Sequence, residues 1–323
     1  MLPYSSDLQI VIPVYNDWDS IKTLLPLVAE HLTIAKVCAD VLLVDDGSQE
    51  PAPETWDLLG GGIVAVRILR LHRNLGHQRA ICVALCHIHT EADSARVLVM
   101  DGDGEDAPVD IPRLLSELDK NNSTRIVFAE RAKRSEGWFF SFFYVVYRFL
   151  HRVLVGQRVR VGNFSVMNRE CLESLCTSSE LWNHYAASAF ATRQPMSFVK
   201  TNRATRLAGD SKMNFPALVT HGLSALSVFS DRICTRLLIV SGIAVCLTLI
   251  GMVVVTLIRL TTGYAIPGWA TNALGILTVL LVQIATFMLT FCFLILFTRG
   301  FSPFIPVRDH IFFIRQVDEV WRG

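Results

Sequence analysis

Two apolar stretches constrain this chain more than any other feature. Residues 237–258 run for 22 positions without a charged side chain, and residues 274–297 run for 24 in which Gln283 is the most polar member. At about 1.5 Å per residue, each helix would reach about 33 Å or slightly more, enough to cross a hydrocarbon core of about 30 Å. A pair of buried helices in a soluble protein is the weaker alternative, because soluble helices seldom go so far without a polar face. The short connection, 259–273, carries Gly263, Tyr264, Pro267 and Trp269, and its aromatics suit a membrane interface. Two crossings return the chain to its starting side. Arg232 and Arg236 precede the first stretch, Arg299 and Arg308 follow the second, and Arg259 alone lies between them, so both termini are expected in the cytoplasm. The opening residues lack a basic segment followed by a long apolar run, so no secretory signal peptide is read there. A third aromatic run, 138–155, ends in Arg148, His151 and Arg152, which predicts a helix lying in the interface rather than crossing it.

Composition sorts the rest of the chain. With 51% hydrophobic and 18% charged residues over 323 positions, disorder is excluded and a large core is expected. The net charge of +1 hides an asymmetry: residues 1–110 hold 7 basic and 17 acidic side chains, whereas 111–236 hold 18 and 9. An acidic first third suits a cation, and a basic middle third suits a phosphate or an anionic membrane surface. Nucleic acid is not among the expected partners. The eight cysteines form no C-x-x-C pair and read as reduced core or membrane residues, in keeping with a cytosolic catalytic face.

Short β-branched apolar runs recur at 8–14, 41–44, 64–71, 97–100 and 125–129, and helical patterns at 20–31, 78–89 and 111–121 separate several of them. This alternation predicts an α/β domain built on a mainly parallel sheet, in which ligands bind beyond the carboxyl ends of the strands. The first run ends in Pro13-Val14-Tyr15-Asn16-Asp17 and the second in Asp45-Asp46-Gly47-Ser48, which alone is an ordinary turn. The fourth ends in Asp101-Gly102-Asp103-Gly104-Glu105-Asp106. Carboxylates crowded at one strand end repel one another unless a cation sits among them, and alternate positions can aim oxygens at one hard metal. No G-x-G-x-x-G or Walker sequence follows any strand, which removes the usual phosphate loop of a dinucleotide dehydrogenase or an ATPase.

The set Pro13-x-Tyr15-Asn16-Asp17, Val44-Asp45-Asp46-Gly47-Ser48, Arg73-Asn74-Leu75-Gly76-x-x-x-Ala80 and Asp101-x-Asp103-x-x-Asp106-x-Pro108 resembles glycosyltransferase family 2. With the C-terminal pair of spans, it resembles the polyprenyl-phosphate glycosyltransferases related to dolichyl-phosphate mannose synthase. The resemblance implies a GT-A fold, a nucleotide-diphosphate sugar as donor and Mg²⁺ or Mn²⁺ as cofactor. It places Pro13, Tyr15, Asp17, Asp45 and Asp46 at the base and ribose, with Asn74 and Gly76 opening a helix near that pocket. Asp101 and Asp103, the family's DXD motif, would hold the metal, and Glu105, where Gln is frequent, leaves open a third carboxylate beside it. Arg131, Arg206 and Lys212 would meet the acceptor phosphate, Arg131 also counting among the catalytic residues, with Lys133 and Arg134 nearby. Asn163 stands where many members carry Asp, which puts an Asp-based deprotonation in doubt.

These readings divide the chain into a GT-A domain (1–215), a juxtamembrane amphipathic segment (216–236), a transmembrane hairpin (237–297) and a cytoplasmic tail (298–323). The tail is amphipathic enough to pack on a second copy, making a homo-oligomer, or to cover its own domain. The expected activity is inverting transfer of one sugar to a polyprenyl phosphate, undecaprenyl or dolichyl, by an integral protein of the bilayer; in a bacterium this would be the inner membrane. A processive polysaccharide synthase is the rival enzyme, disfavoured by the lack of Q-x-x-R-W and by too few spans for a polymer channel. A non-catalytic membrane scaffold is disfavoured by the retained Asp101 and Asp103, and the two spans carry no charge with which to move a polar solute.

Overall fold

The computed structural model describes residues 6–56, 61–120, 125–131, 156, 161–208, 215–262, 266–300 and 304–323. The expected interfacial helix at 138–155 lies outside these residues. The chain divides into two compact units: residues 1–141, 158–228 and 304–323 form the first, and 142–157 with 229–303 form the second.

In the first unit, β1 (Leu8–Val14), β2 (Ala39–Asp45), β3 (Ile63–Leu71) and β4 (Arg96–Val99) are mutually parallel neighbours. Every residue of β1 and β2 is buried, which explains why both read as largely apolar runs, interrupted by Gln9 in β1 and flanked by Asp40 and Asp45 in β2, rather than as alternation. Helices cover both faces. Ile10 and Ile12 of β1 share a core with α1 (Trp18–Ala35) and α3 (Ile111–Lys120), while Val11 between them belongs to the opposite core with α2 (His77–Glu91), α4 (Arg169–Cys176) and α5 (Tyr185–Ala191). Beyond β4 the sheet continues through β6 (Ser165–Asn168), antiparallel to both β4 and β5 (Ile126–Arg131), and ends with β7 (Met196–Thr201). With β8 at Ile314–Arg322, the eight-stranded order is β7-β5-β6-β4-β1-β2-β3-β8. This is the mainly parallel GT-A-like sheet expected from the sequence.

The last strand in that order corrects the reading of residues 298–323 as a separate tail. β8 (Ile314–Arg322) pairs antiparallel with β3, from Ala65 opposite Arg322 to Leu71 opposite Ile314. Its amphipathic pattern therefore covers its own domain. A buried arginine draws it in: Arg67 on β3 is 1% exposed, and a guanidinium out of water needs anions around it. Glu319 of β8 lies 3.0 Å from Arg67 Nη2, and Asp40 of β2 lies 3.5 Å from Nη1. Phe304 and Phe313 add an aromatic contact with Trp182 at centroid distances of 4.2 and 4.9 Å. The first unit also extends past 215, because α6 (Phe215–Ser227) clusters with it.

The second unit holds α7 (Ser230–Thr261) and α8 (Trp269–Gly300), each of 32 residues and packed along one another. Both exceed the apolar stretches seen in the sequence and are long and apolar enough to cross a membrane. Leu247, Val253, Phe287, Phe293 and Phe297 point outward and are exposed, the reverse of a soluble core and the arrangement that lipid favours. The hydroxyls of Thr248, Thr256, Thr278, Thr286 and Thr290 each donate to the carbonyl four residues earlier, so each finds a partner within its own helix.

Candidate active site

Sheet order gathers the acidic motifs. β4, β1 and β2 are adjacent and parallel, so the residues following each strand emerge side by side at one edge. Two glycines allow the loop after β4 to pack there. A Cβ on Gly102 would stand 2.8 Å from Ile21 Cδ1 and 3.1 Å from the Pro13 carbonyl oxygen, and Gly104 has φ +81 with Leu207 filling the space a side chain would need. The Asp106 carboxylate, almost fully buried, accepts the Asp101 N–H at 2.9 Å and holds the loop closed. The Asp103 carboxylate accepts the Glu105 N–H at 3.0 Å.

Asp101 is met by two partners from other elements. His77 Nε2 at the start of α2 and Asn163 Nδ2 before β6 both lie 3.1 Å from its Oδ1. Burial lowers the His77 pKa, but the Asp101 charge and hydrogen bond outweigh it and leave the imidazole above its ordinary value. Asp103 is pushed up by burial, offset in part by the Glu105 N–H and by Arg206. Arg206 reaches both acidic motifs: Nη2 lies 2.5 Å from Asp17 Oδ2 and Nη1 lies 3.3 Å from Asp103 Oδ2. Arg203 pairs with Glu105, and the backbone of the same segment is bound as well, with Ala204 N–H on the Glu105 carbonyl and Leu207 N–H on that of Asp103. Residues 203–207 thus form a basic strap across the acidic loop.

The remaining expected residues fall out differently. Tyr15 is exposed at the end of β1, Asp17 opens α1 and accepts the Ser20 hydroxyl at 2.7 Å, and Asp45 accepts the Ser48 N–H at 2.8 Å. Pro13 is buried within β1 and contributes through its backbone beside Gly102. Asp46, expected at the base pocket, accepts a backbone donor on each oxygen, Leu75 N–H at 2.6 Å and Gly76 N–H at 2.9 Å. It is a brace that ties the β2 turn to the turn opening α2. Gly47, at φ +72, lies so close to that second turn that a Cβ would stand 2.7 Å from the Asn74 nitrogen. Burial raises the Asp46 pKa to about 6, against the lowering effect of those two N–H groups. Asn74 is exposed on the same turn and Gly76, at φ +91, precedes α2. Arg131 closes β5, and Lys133, Arg134 and Lys212 lie outside the described residues.

The donor set suits a hard divalent cation. Among the described residues no cluster of three His, Cys, Asp or Glu side chains is assembled, and Glu105 is engaged by Arg203 rather than joined to a three-carboxylate set. Asp101 and Asp103 remain as an oxygen pair on one tight loop. Mg²⁺ and Mn²⁺ are commonly held in this way, by one or two carboxylates with substrate phosphates completing the shell. His77, Gln78 and Arg203 escape the sequence reading. The first two occupy the unspecified positions after Gly76, and only their place at the opening of a helix hints at a role.

Comparison with known proteins follows the same outline. The sequence profile of glycosyl transferase family 2 matches residues 9–176. The undecaprenyl-phosphate 4-deoxy-4-formamido-L-arabinose transferase of Edwardsiella ictaluri is 27% identical over 274 residues, spanning 81% of this chain and 78% of its own. The prophage bactoprenol glucosyl transferase homolog of Escherichia coli is 24% identical over 252 residues, spanning 73% and 78%. Among solved structures, the glucosyl-3-phosphoglycerate synthase of Mycobacterium tuberculosis, crystallised with Mn²⁺, UDP-glucose and phosphoglyceric acid, superposes with a TM-score of 0.51 at 14% identity. It covers 71% of this chain and 80% of its own, a likeness of fold. With more than half of its length matched and the four strand-end motifs in order, the chain belongs to glycosyl transferase family 2 and is a glycosyltransferase.

Proposed function

We propose that the protein moves a single sugar from a nucleotide-diphosphate sugar to a polyprenyl monophosphate at the cytoplasmic face of a membrane, with inversion at the anomeric carbon. The observation that carries this reading is the return of the chain, after two lipid-suited helices, into the sheet that bears the acidic site. Such a chain confines its site to the surface where a lipid phosphate lies, which raises the effective concentration of that acceptor. Undecaprenyl phosphate and bactoprenol in the relatives' names support the same class of lipid.

Asp101 and Asp103 would hold a divalent cation, which supplies Lewis-acid stabilisation to the departing nucleoside diphosphate. Tyr15, Asp17 and Asp45 would flank the base and ribose. Arg206 spans the two acidic motifs in the structure. On donor binding it would exchange these carboxylates for phosphate oxygens, joining Arg131 and Lys212 around the acceptor. A phosphate monoester has a second pKa of about 6, so at neutral pH the acceptor is largely a dianion and needs no strong protein base. Asn163 in place of a carboxylate fits that economy.

Release of nucleoside diphosphate from a panel of nucleotide sugars tests this reading. Release should require both polyprenyl phosphate and Mg²⁺ or Mn²⁺. Equal release without the lipid would contradict it.

A further inference from the structure

A closed circuit of buried polar groups ends on the carboxylate of Asp101. Asn163 Nδ2 donates to Asp101 Oδ1 at 3.1 Å. Asn163 Nδ2 also lies 2.9 Å from His77 Nε2, and Asn163 is held at two further points. Its Oδ1 accepts from Gln78 Nε2 at 3.1 Å, and its main-chain carbonyl accepts from Ser165 Oγ at 2.9 Å. Both lines lead to one residue: Gln78 Oε1 accepts the Tyr185 N–H at 2.8 Å, and Ser165 Oγ lies 2.6 Å from the Tyr185 phenol.

The polarity of every link follows from its ends. A backbone N–H only donates, so the Gln78 atom facing Tyr185 is its oxygen and its NH₂ faces Asn163. Asn163 therefore receives on its oxygen and presents its NH₂ to the carboxylate. On the other line, Ser165 has one proton and gives it to the Asn163 carbonyl, so the phenol must donate to Ser165. Burial pushes the Tyr185 phenol well above its usual range and keeps that proton in place. Gln78 and Asn163 are 8% and 7% exposed, and Ser165 and Tyr185 are fully buried, so water does not compete for these bonds. Tyr185 is further fixed against Phe128, with ring centroids 6.1 Å apart.

We propose that Tyr185, Gln78, Ser165 and Asn163 are positioning residues that fix the Asp101 carboxylate for a divalent cation, with Tyr185 holding Asn163 by side chain and backbone at once. This rests on the reading of Asp101 as a cation ligand. Groups that orient a ligating carboxylate commonly set metal affinity by about 10- to 100-fold. The circuit also accounts for the residue at 163: an amide can accept from Gln78 and donate to Asp101, which a carboxylate there could not do.

The test is Mn²⁺ binding to the full-length protein in detergent, with free Mn²⁺ counted by its electron paramagnetic resonance signal. Gln78→Leu, which breaks the amide line, should weaken Mn²⁺ binding about tenfold. Tyr185→Phe keeps the ring packing and the backbone N–H, loses only the phenol line, and should weaken binding about threefold. In turnover, both should raise the Mn²⁺ concentration for half-maximal rate while kcat at saturating Mn²⁺ stays within about threefold of wild type. A purely structural role would lower the thermal midpoint and leave Mn²⁺ affinity of the folded protein unchanged. Wild-type affinity in both variants overturns the proposal, and Tyr185→Phe decides the matter if Gln78→Leu does not fold. Should Asp101→Ala bind Mn²⁺ as wild type does, the reading of Asp101 as a cation ligand fails, and the positioning proposal goes with it.

Discussion

Arg206 bridges Asp17 and Asp103, so its guanidinium occupies the charge environment that a divalent cation would enter. A cation approaching Asp103 competes with it. Arg206→Ala should therefore bind Mn²⁺ more tightly than wild type in the absence of donor. The same variant should lose about ten- to a hundredfold in kcat/KM for polyprenyl phosphate, the worth of a charge-assisted hydrogen bond to phosphate of roughly 1.5 to 3 kcal/mol. Binding titrations and acceptor kinetics read the two effects separately, and weaker Mn²⁺ binding in the variant would contradict the first. Asp101→Ala and Asp103→Ala should each slow transfer at least about a hundredfold, a loss of about 3 kcal/mol, with the fold retained by circular dichroism. Asp46 gives a pH signature instead. Its folded pKa of about 6 lies above the usual 3.8, so its contribution to stability is fully present below about 3.8 and is lost as pH rises through about 6. The gap in thermal midpoint between wild type and Asp46→Ala should shrink between pH 4 and pH 7; a gap that widens would show the opposite shift. The acidic loop proposed to hold the cation was conspicuous in sequence because like charges crowded at a strand end are costly until a cation offsets them. His77 and Gln78 were not, because their partner Asn163 lies 86 and 85 residues away and only sheet order brings it near.

Elements buried on both faces announced themselves. β1 to β4 are largely apolar runs, interrupted in β3 by Arg67 and Arg70, and the structure moves their ends by only one or two residues. β8 did not, because an edge strand that is half exposed alternates and carries charges, Arg315, Asp318, Glu319 and Arg322, which read equally well as an amphipathic tail. Its pairing rests on ion pairs that no local pattern reveals: Arg67 with Glu319, and Arg70 with Asp318 at 3.2 Å. Arg70 in turn lies 3.5 Å from Asp45, so the strand beyond the membrane helices supports a carboxylate that we propose flanks the donor. Glu319→Ala leaves the buried Arg67 with less compensation and should cost about 2 kcal/mol. Differential scanning calorimetry should then show the midpoint several degrees lower, and an unchanged midpoint would mean β8 is held by its backbone bonds alone.

At the scale of the molecule, the sheet restricts the path through a bilayer. β8 pairs with β3, so the chain that leaves the first unit after α6 rejoins the same sheet. An excursion that leaves and rejoins one sheet is expected to cross a membrane an even number of times, which puts its two ends on one face, and the flanking arginines assign that face to the cytoplasm. A reporter after Gly323 should therefore signal cytoplasm, as should one at the N-terminus, and a tag within residues 261–271 should be labelled from outside. N- and C-termini labelled on opposite sides would be incompatible with β8 in the sheet. The central claim, transfer of one sugar to a lipid phosphate, is most directly tested by product mass. Purified protein in detergent, given polyprenyl phosphate, Mg²⁺ or Mn²⁺ and each of a panel of nucleotide sugars, should yield a polyprenyl phosphate heavier by one sugar, absent with Asp103→Ala. A ladder of longer products, or consumption of donor with no glycosylated lipid, would contradict it.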